Sequence, residues 1–131
     1  MATMPTHEQL EAFLAGPADQ PVVMLNMLTF KAQADPPYEG MTGMEVTLQY
    51  SRAMKEHVEA HGASYVLGAT VDSQLIGEGG EHFEFVGIMR YPSREAYLGL
   101  AGDPEVAATI GRYRDAGLEG QWLFALTEVE A

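Results

Sequence analysis

The chain has 131 residues, 47% of them hydrophobic and 20% charged, with no cysteine. This suits one folded domain with a sizeable core and excludes disulfides, thiolate chemistry and cysteine-held metal centres. A net charge of −12, from 19 Asp and Glu against 7 Lys and Arg, repels nucleic acid and anionic membranes and favours a small neutral ligand or a protein partner.

Met1-Ala-Thr-Met-Pro-Thr-His7 runs directly into a polar helix signal, so no basic-then-apolar leader is expected. No apolar run reaches bilayer length, and the expected location is the cytoplasm. Thr6 followed by Gln9 fits a capping box. Leu10, Phe13 and Leu14 recur at helical spacing, predicting a helix that ends near Gly16-Pro17. Residues 1–19 therefore read as a helical extension of a single main domain, 20–131.

The run Pro21-Val-Val-Met-Leu-Asn-Met-Leu-Thr-Phe30 predicts a strand over about Val22–Phe30 that is apolar on both faces. Asn26 interrupts it at the centre. An amide buried there costs free energy unless it is hydrogen-bonded, so it is either a structural tie or the floor of a binding cavity. Ala34 to Gly43 is turn chemistry and is expected to form a mobile surface loop or a lid.

A long helix is predicted from about Met44 to His61, with Tyr50, Met54, Val58 and His61 on one face and Gly62 as the stop. Ser64–Ile76 reads as a strand, Gly77 to Glu81 as a turn, and His82–Tyr91 as a further strand. Pro92-Ser93 opens a helix carrying Tyr97, Leu98 and Leu100, and Asp103-Pro104 caps another through about Ala116. Gln121–Glu128, with Trp122, Leu123, Phe124 and Leu126, is the last strand.

Without the first helix the order is strand, helix, strand, strand, helix, strand. This is an α+β, ferredoxin-like arrangement: a four-stranded antiparallel sheet with its helices on one face. The other face needs a cover, because the first strand is apolar on both sides and a monomer would expose too large a patch. A homodimer with the two sheets packed face to face is the expected solution. The rival cover is the N-terminal helix folded over the sheet.

Five segments carry a resemblance: Val23 to Phe30, Glu59-Ala-His-Gly62, Arg90-Tyr-Pro-Ser93, Asp103-Pro-Glu105 and Arg114-Asp-Ala-Gly-Leu118. Over residues 20–128 the chain resembles the domain-of-unknown-function family 1330, of the dimeric α+β barrel superfamily. The resemblance implies a dimeric barrel with a cavity. Relatives in that superfamily include cofactor-free monooxygenases, muconolactone isomerases, dye-decolourising peroxidases and stress-responsive barrel proteins. The family has no settled activity, so the resemblance implies an architecture rather than a reaction. It often has Gly-Gly after the long helix where this chain has Gly62-Ala63, which puts in doubt a role resting on close backbone approach there.

Pairing Asn26 with Val86 across the first and third strands would gather Asn26, His82, Glu84 and Arg90 on one face, toward a cavity between subunits. A slip of one residue would mix polar and apolar faces. In the expected register Asn26 orients a carbonyl, enol or quinone-like ligand, unless it merely ties strands. Arg90 meets a carboxylate or developing oxyanion, unless it pairs with Glu84 or the helix after Pro92. His57 is the candidate base, against the plainer reading of a partly exposed helix histidine.

His57 and His61 stand one helical turn apart, but the string lacks a third ligand and the Glu of the metalloprotease motif, so no metal is expected. His61 fits a cap at the helix end. Tyr50, Tyr65 and Trp122 either wall an aromatic pocket or belong to the core and dimer interface. The expectation is a small-molecule-binding or cofactor-independent enzyme, monooxygenase- or isomerase-like, acting on a small apolar or aromatic carbonyl compound without cofactor. The alternative is a non-catalytic dimeric structural or stress-response protein whose barrel is filled by its own side chains.

Overall fold

The computed structural model describes residues 4–130, so Met1-Ala-Thr3, where the expected extension begins, and Ala131 lie outside it. The elements are α1 His7–Leu14, β1 Val22–Phe30, α2 Gly43–Ala60, β2 Ser64–Thr70, β3 Phe85–Tyr91, α3 Arg94–Ala101, α4 Pro104–Thr109, α5 Gly111–Gly117 and β4 Leu118–Leu126. The strands form one antiparallel sheet in the order β2-β3-β1-β4. This is the ferredoxin-like α+β arrangement read from the element order. Among the described residues no helix is long and apolar enough to cross a membrane.

Local chemistry sets the helix ends. Thr6 caps α1 and Thr42 caps α2, each in a closed capping box with Gln9 or Glu45. Gly62, at φ +85°, takes the left-handed conformation that ends α2. Ser93 accepts from Ala96 N to start α3, and Asp103 accepts from Glu105 N at the start of α4, with Pro104 in its first turn.

Four elements differ from expectation. β2 ends at Thr70 rather than Ile76, because the Gln74 side chain binds the Ile76 carbonyl and the Gly80 amide and closes a loop instead. β3 begins at Phe85, after a turn in which Phe83 N donates to Gly80 O. The helix expected from Pro104 to Ala116 breaks at Ile110, which buries its side chain at the corner between α4 and α5. β4 begins at Leu118, where a bulge at Thr29/Phe30 lets Leu118 pair with Phe30 and bury.

The β1–β3 register corrects the expected one. Asn26 pairs with Gly87, not Val86, and Val22 with Tyr91 at the strand end. Even-numbered β1 residues therefore share a face with odd-numbered β3 residues. That face carries Val22, Met24, Leu28, Phe85, Met89 and Tyr91, all buried, and Met54, Val58, Val106 and Ile110 from the helical layer pack over it or its neighbours. The register follows from burial. It puts the two β3 aromatics under the helices and leaves the Arg90 guanidinium outside, where it keeps its hydration. Asn26 accordingly faces α2, not a second subunit.

The opposite face is apolar and open. Val66, Leu67, Trp122, Phe124 and Leu126 are exposed there or on the adjoining edge. α1 does not cover it. Phe13 instead packs edge-on against Tyr97 at 5.4 Å, beside the helical layer. Arg94 fixes that position by donating to the Phe13 carbonyl at 2.9 Å and the Pro17 carbonyl at 3.3 Å. Loop 34–43 is tied down by Ala34, which is buried and donates to the Met41 carbonyl, and by the Tyr38 ring, which packs at a tilt against Tyr113 with centroids 5.4 Å apart.

Candidate functional site

Thr47, Tyr50, Ser51 and Met54 recur at three- and four-residue spacing along α2, so their side chains fall on the face turned to the sheet. Opposite them lies the centre of β1 and β3, where Gly87 stands beside Asn26 and contributes no side chain. A Cβ added at Gly87 would meet only ordinary contacts, 3.8 Å from Phe85 and 3.9 Å from Asn26 Cβ. The missing side chain leaves a cavity of about 20 Å³ between α2 and the sheet. That is room for about one ordered water.

Leu28, Met54, Phe85 and Met89 give the cavity apolar walls, and Asn26, Thr47, Tyr50, Ser51 and Tyr65 are its polar members. Among the described residues no charged side chain lines it. Asn26 is 9% exposed, and its Oδ1 accepts a hydrogen bond from Gln121 Nε2 at 3.0 Å. With its acceptor engaged, the amide has its Nδ2 protons to offer. Ser51 Oγ and Tyr65 Oη lie 2.6 Å apart and share a hydrogen bond. The Thr47 hydroxyl is buried without a partner among the described residues and is turned toward Gly117.

A tyrosine cluster adjoins this space. Tyr91 donates to Met89 Sδ at 3.8 Å and meets Tyr97 edge-on at 5.0 Å. Burial raises the Tyr50 hydroxyl above its ordinary pKa, opposed by the Arg114 guanidinium. Burial likewise raises Tyr91 and Tyr97.

Of the residues singled out from the sequence, Asn26, Tyr50 and Tyr65 come together at the cavity. Arg90 does not, since the register turns it to the open face. It pairs there with Glu128 at 2.5 Å, while Glu84 accepts from Phe30 N instead. His57 lies beyond Met54 on α2 and outside the cavity lining. Its ring packs on His61 at 4.4 Å, and its Nε2 is buried with no partner among the described residues. His61 Nδ1 bonds the His57 carbonyl, as expected of a helix-end cap. Trp122 lies on the open face, 5.1 Å from Phe83. No residue of loop 34–43 lines the cavity, so that loop is not its lid. Among the described residues no group of three His, Asp or Glu is placed to hold a metal.

Sequence reasoning missed Thr47, Ser51, Gly87 and Gln121. The first two carried a signal: hydroxyls at helical spacing within the Tyr50, Met54, Val58 stripe. Gly87 and Gln121 become visible only once the register is known.

The chain is similar over its length to RPA0582, a protein of unknown function from Rhodopseudomonas palustris. Identity is 30%, the match covers 98% of this chain and 97% of that one, and the TM-score is 0.81. A DABB family protein with a ferredoxin-like fold from Mesorhizobium loti matches at 14% identity, over 84% of this chain and 98% of that one, with a TM-score of 0.58. SnoaB, a cofactor-independent oxygenase from Streptomyces nogalater, matches at 11% identity, over 86% and 96% of the two chains, with a TM-score of 0.56. At those lower identities the likeness is one of fold alone. No family model and no curated protein matches the chain.

Proposed function

The chain belongs to the same family as the Rhodopseudomonas palustris protein RPA0582, itself of unknown function, and from its own site we propose that it binds a small neutral carbonyl compound between α2 and the sheet. One observation carries this reading. An amide with its acceptor already engaged by Gln121 lies on the wall of an uncharged, largely apolar cavity. Such a site suits a ligand that is mostly apolar and presents an acceptor oxygen, such as a ketone, an enol ether or a quinone. A carboxylate would enter with no cation to meet it.

The cavity must widen to admit such a ligand. Met54 and Met89 are its adaptable walls, because an unbranched thioether side chain repacks at low cost. Any turnover is metal-free, since hydroxyls, amides and thioethers form a poor donor set for a divalent cation. It is monooxygenase- or isomerase-like, with Asn26 orienting the substrate and with neither Arg90 nor His57 in contact with it. The small volume favours a second reading, a non-catalytic protein whose interior is filled by its own side chains.

The partner is a second copy of the chain, joined through the open sheet face. Phe124 is 49% exposed and Trp122 39%, and Leu25, Met27, Val86 and Ile88 continue the apolar surface between the edge strands. Membership of the domain-of-unknown-function family 1330 belongs to the same proposal.

Acetophenone and its hydrocarbon analogue ethylbenzene test the binding reading. A ligand held by the native state alone raises the melting temperature in a concentration-dependent way. Acetophenone is expected to do so more strongly than ethylbenzene. No shift with either compound favours the filled, non-catalytic interior.

A further inference from the structure

We propose that the Ser51–Tyr65 hydroxyl pair is the second hydrogen-bond donor to the ligand's carbonyl oxygen, held in place by a bulge in β2 and by Gly68. This rests on the cavity reading above.

Each hydroxyl carries one proton. At 2.6 Å, one of the two O–H groups is spent on the other hydroxyl, whichever donates. The remaining O–H has no further partner among the described residues, and both residues line the cavity. Either order leaves one donor over. The pair is also a better donor than a lone hydroxyl, because the shared hydrogen bond polarises the outer O–H.

The position of Tyr65 is built by two departures from a regular strand. Tyr65 pairs with Met89 and Leu67 with Ile88, so Val66 is an extra residue in β2. In an even strand Tyr65 and Gly68 would face opposite sides. The bulge puts both on the side of Met89 and Gly87, toward α2. Gly68 then leaves open the space that the phenol end occupies, and a Cβ at this position would collide with Tyr65 Oη. A glycine in mid-strand weakens the strand, and here it marks a close approach.

Asn26 on the sheet and the hydroxyl pair between α2 and β2 thus supply two uncharged donors to one space. A carbonyl oxygen has two lone pairs and can accept both. The arrangement selects an acceptor oxygen over a hydrocarbon, and a neutral oxygen over a carboxylate.

The test uses acetophenone labelled with ¹³C at the carbonyl, with ethylbenzene and benzoate as comparisons. In the folded wild-type protein the bound C=O stretch is expected below its frequency in cyclohexane. In the double variant Ser51→Ala/Tyr65→Phe, it should move back toward the cyclohexane value, with acetophenone affinity falling by roughly three- to tenfold, the cost of one lost hydrogen bond. Ethylbenzene binding should not change. Gly68→Ala keeps both hydroxyls and should reproduce the loss by displacing Tyr65, which also covers the case of a double variant that fails to fold.

Acetophenone binding with the same C=O frequency and affinity in wild type and variants overturns the role of the pair and leaves the cavity reading intact. Benzoate binding tighter than acetophenone overturns the neutral-acceptor assignment. No binding of acetophenone to the wild type overturns both readings together.

Discussion

Asn26 stands directly across the ladder from Gly87. That pairing turns the amide toward α2 and, by omitting a side chain, leaves the space in front of it. With Val86 opposite instead, Asn26 would share a face with Arg90 and look away from the helices.

Gly87→Val should fill the cavity without unfolding the protein, because a Cβ at this position meets only ordinary contacts and the branched methyls extend into free volume. The expected result is loss of acetophenone binding with a stability cost of about 1–3 kcal/mol, the usual scale for methyl groups added to a packed core. Calorimetric titration and chemical denaturation measure the two separately.

Arg94 is 8% exposed and donates to the Phe13 and Pro17 carbonyls and, more weakly, to Thr127 Oγ1. Its guanidinium also lies 4.9 Å from the Phe13 ring centre. Arg94→Ala should cost about 2–3 kcal/mol, in the range for hydrogen bonds to a charged group. Hydrogen exchange should show α1 losing protection first. Arg94→Lys should not rescue it, because a single ammonium cannot reproduce the planar fork.

Burial raises the pKa of Tyr50, Tyr91 and Tyr97. In the unfolded chain these phenols ionise near pH 10, so their contribution to stability is fully present below that pH. Above it the unfolded state loses protons that the folded state retains, and stability falls by about 1.4 kcal/mol per pH unit for each such tyrosine. The loss continues until pH passes the raised folded values. Denaturation midpoints from pH 9 upward should show this slope, and Tyr91→Phe should make it shallower by one tyrosine's share.

Phe124 projects from the open sheet face beside Leu25. Phe124→Lys places a charge within the proposed contact between copies, where it would be buried unpaired in the dimer and hydrated in the monomer. Sedimentation should report a dimer for the wild type and a folded monomer for the variant. A wild-type monomer at micromolar concentration would contradict the sheet-to-sheet pairing.

Much of the fold was legible. The apolar run behind Pro21 marked β1 to the residue, and Thr6 with Gln9 marked α1, because short-range chemistry sets both. The register was not. Val23, Leu25 and Met27 are as apolar as Met24 and Leu28, so alternation could not say which face meets the helices. The bulge at Val66 was equally silent, since nothing in Ser64-Tyr-Val-Leu-Gly68 sets its middle residue apart. Asn26 was therefore identified as a candidate and assigned to the wrong side. The unshifted register would also put Arg90 beside it, and the Tyr50–Met54 face of α2 suggests His57. Tyr65 is legible as an aromatic wall, but its hydroxyl partner Ser51 is not.

The most direct test of the cavity follows the side-chain amide protons of Asn26 by NMR while acetophenone is added. Binding as proposed predicts a progressive shift of those two resonances that saturates with the ligand, with Gly87 and Ser51 moving in step and Arg90 unmoved. Saturation of the protein with the Asn26 side-chain resonances unchanged would contradict it.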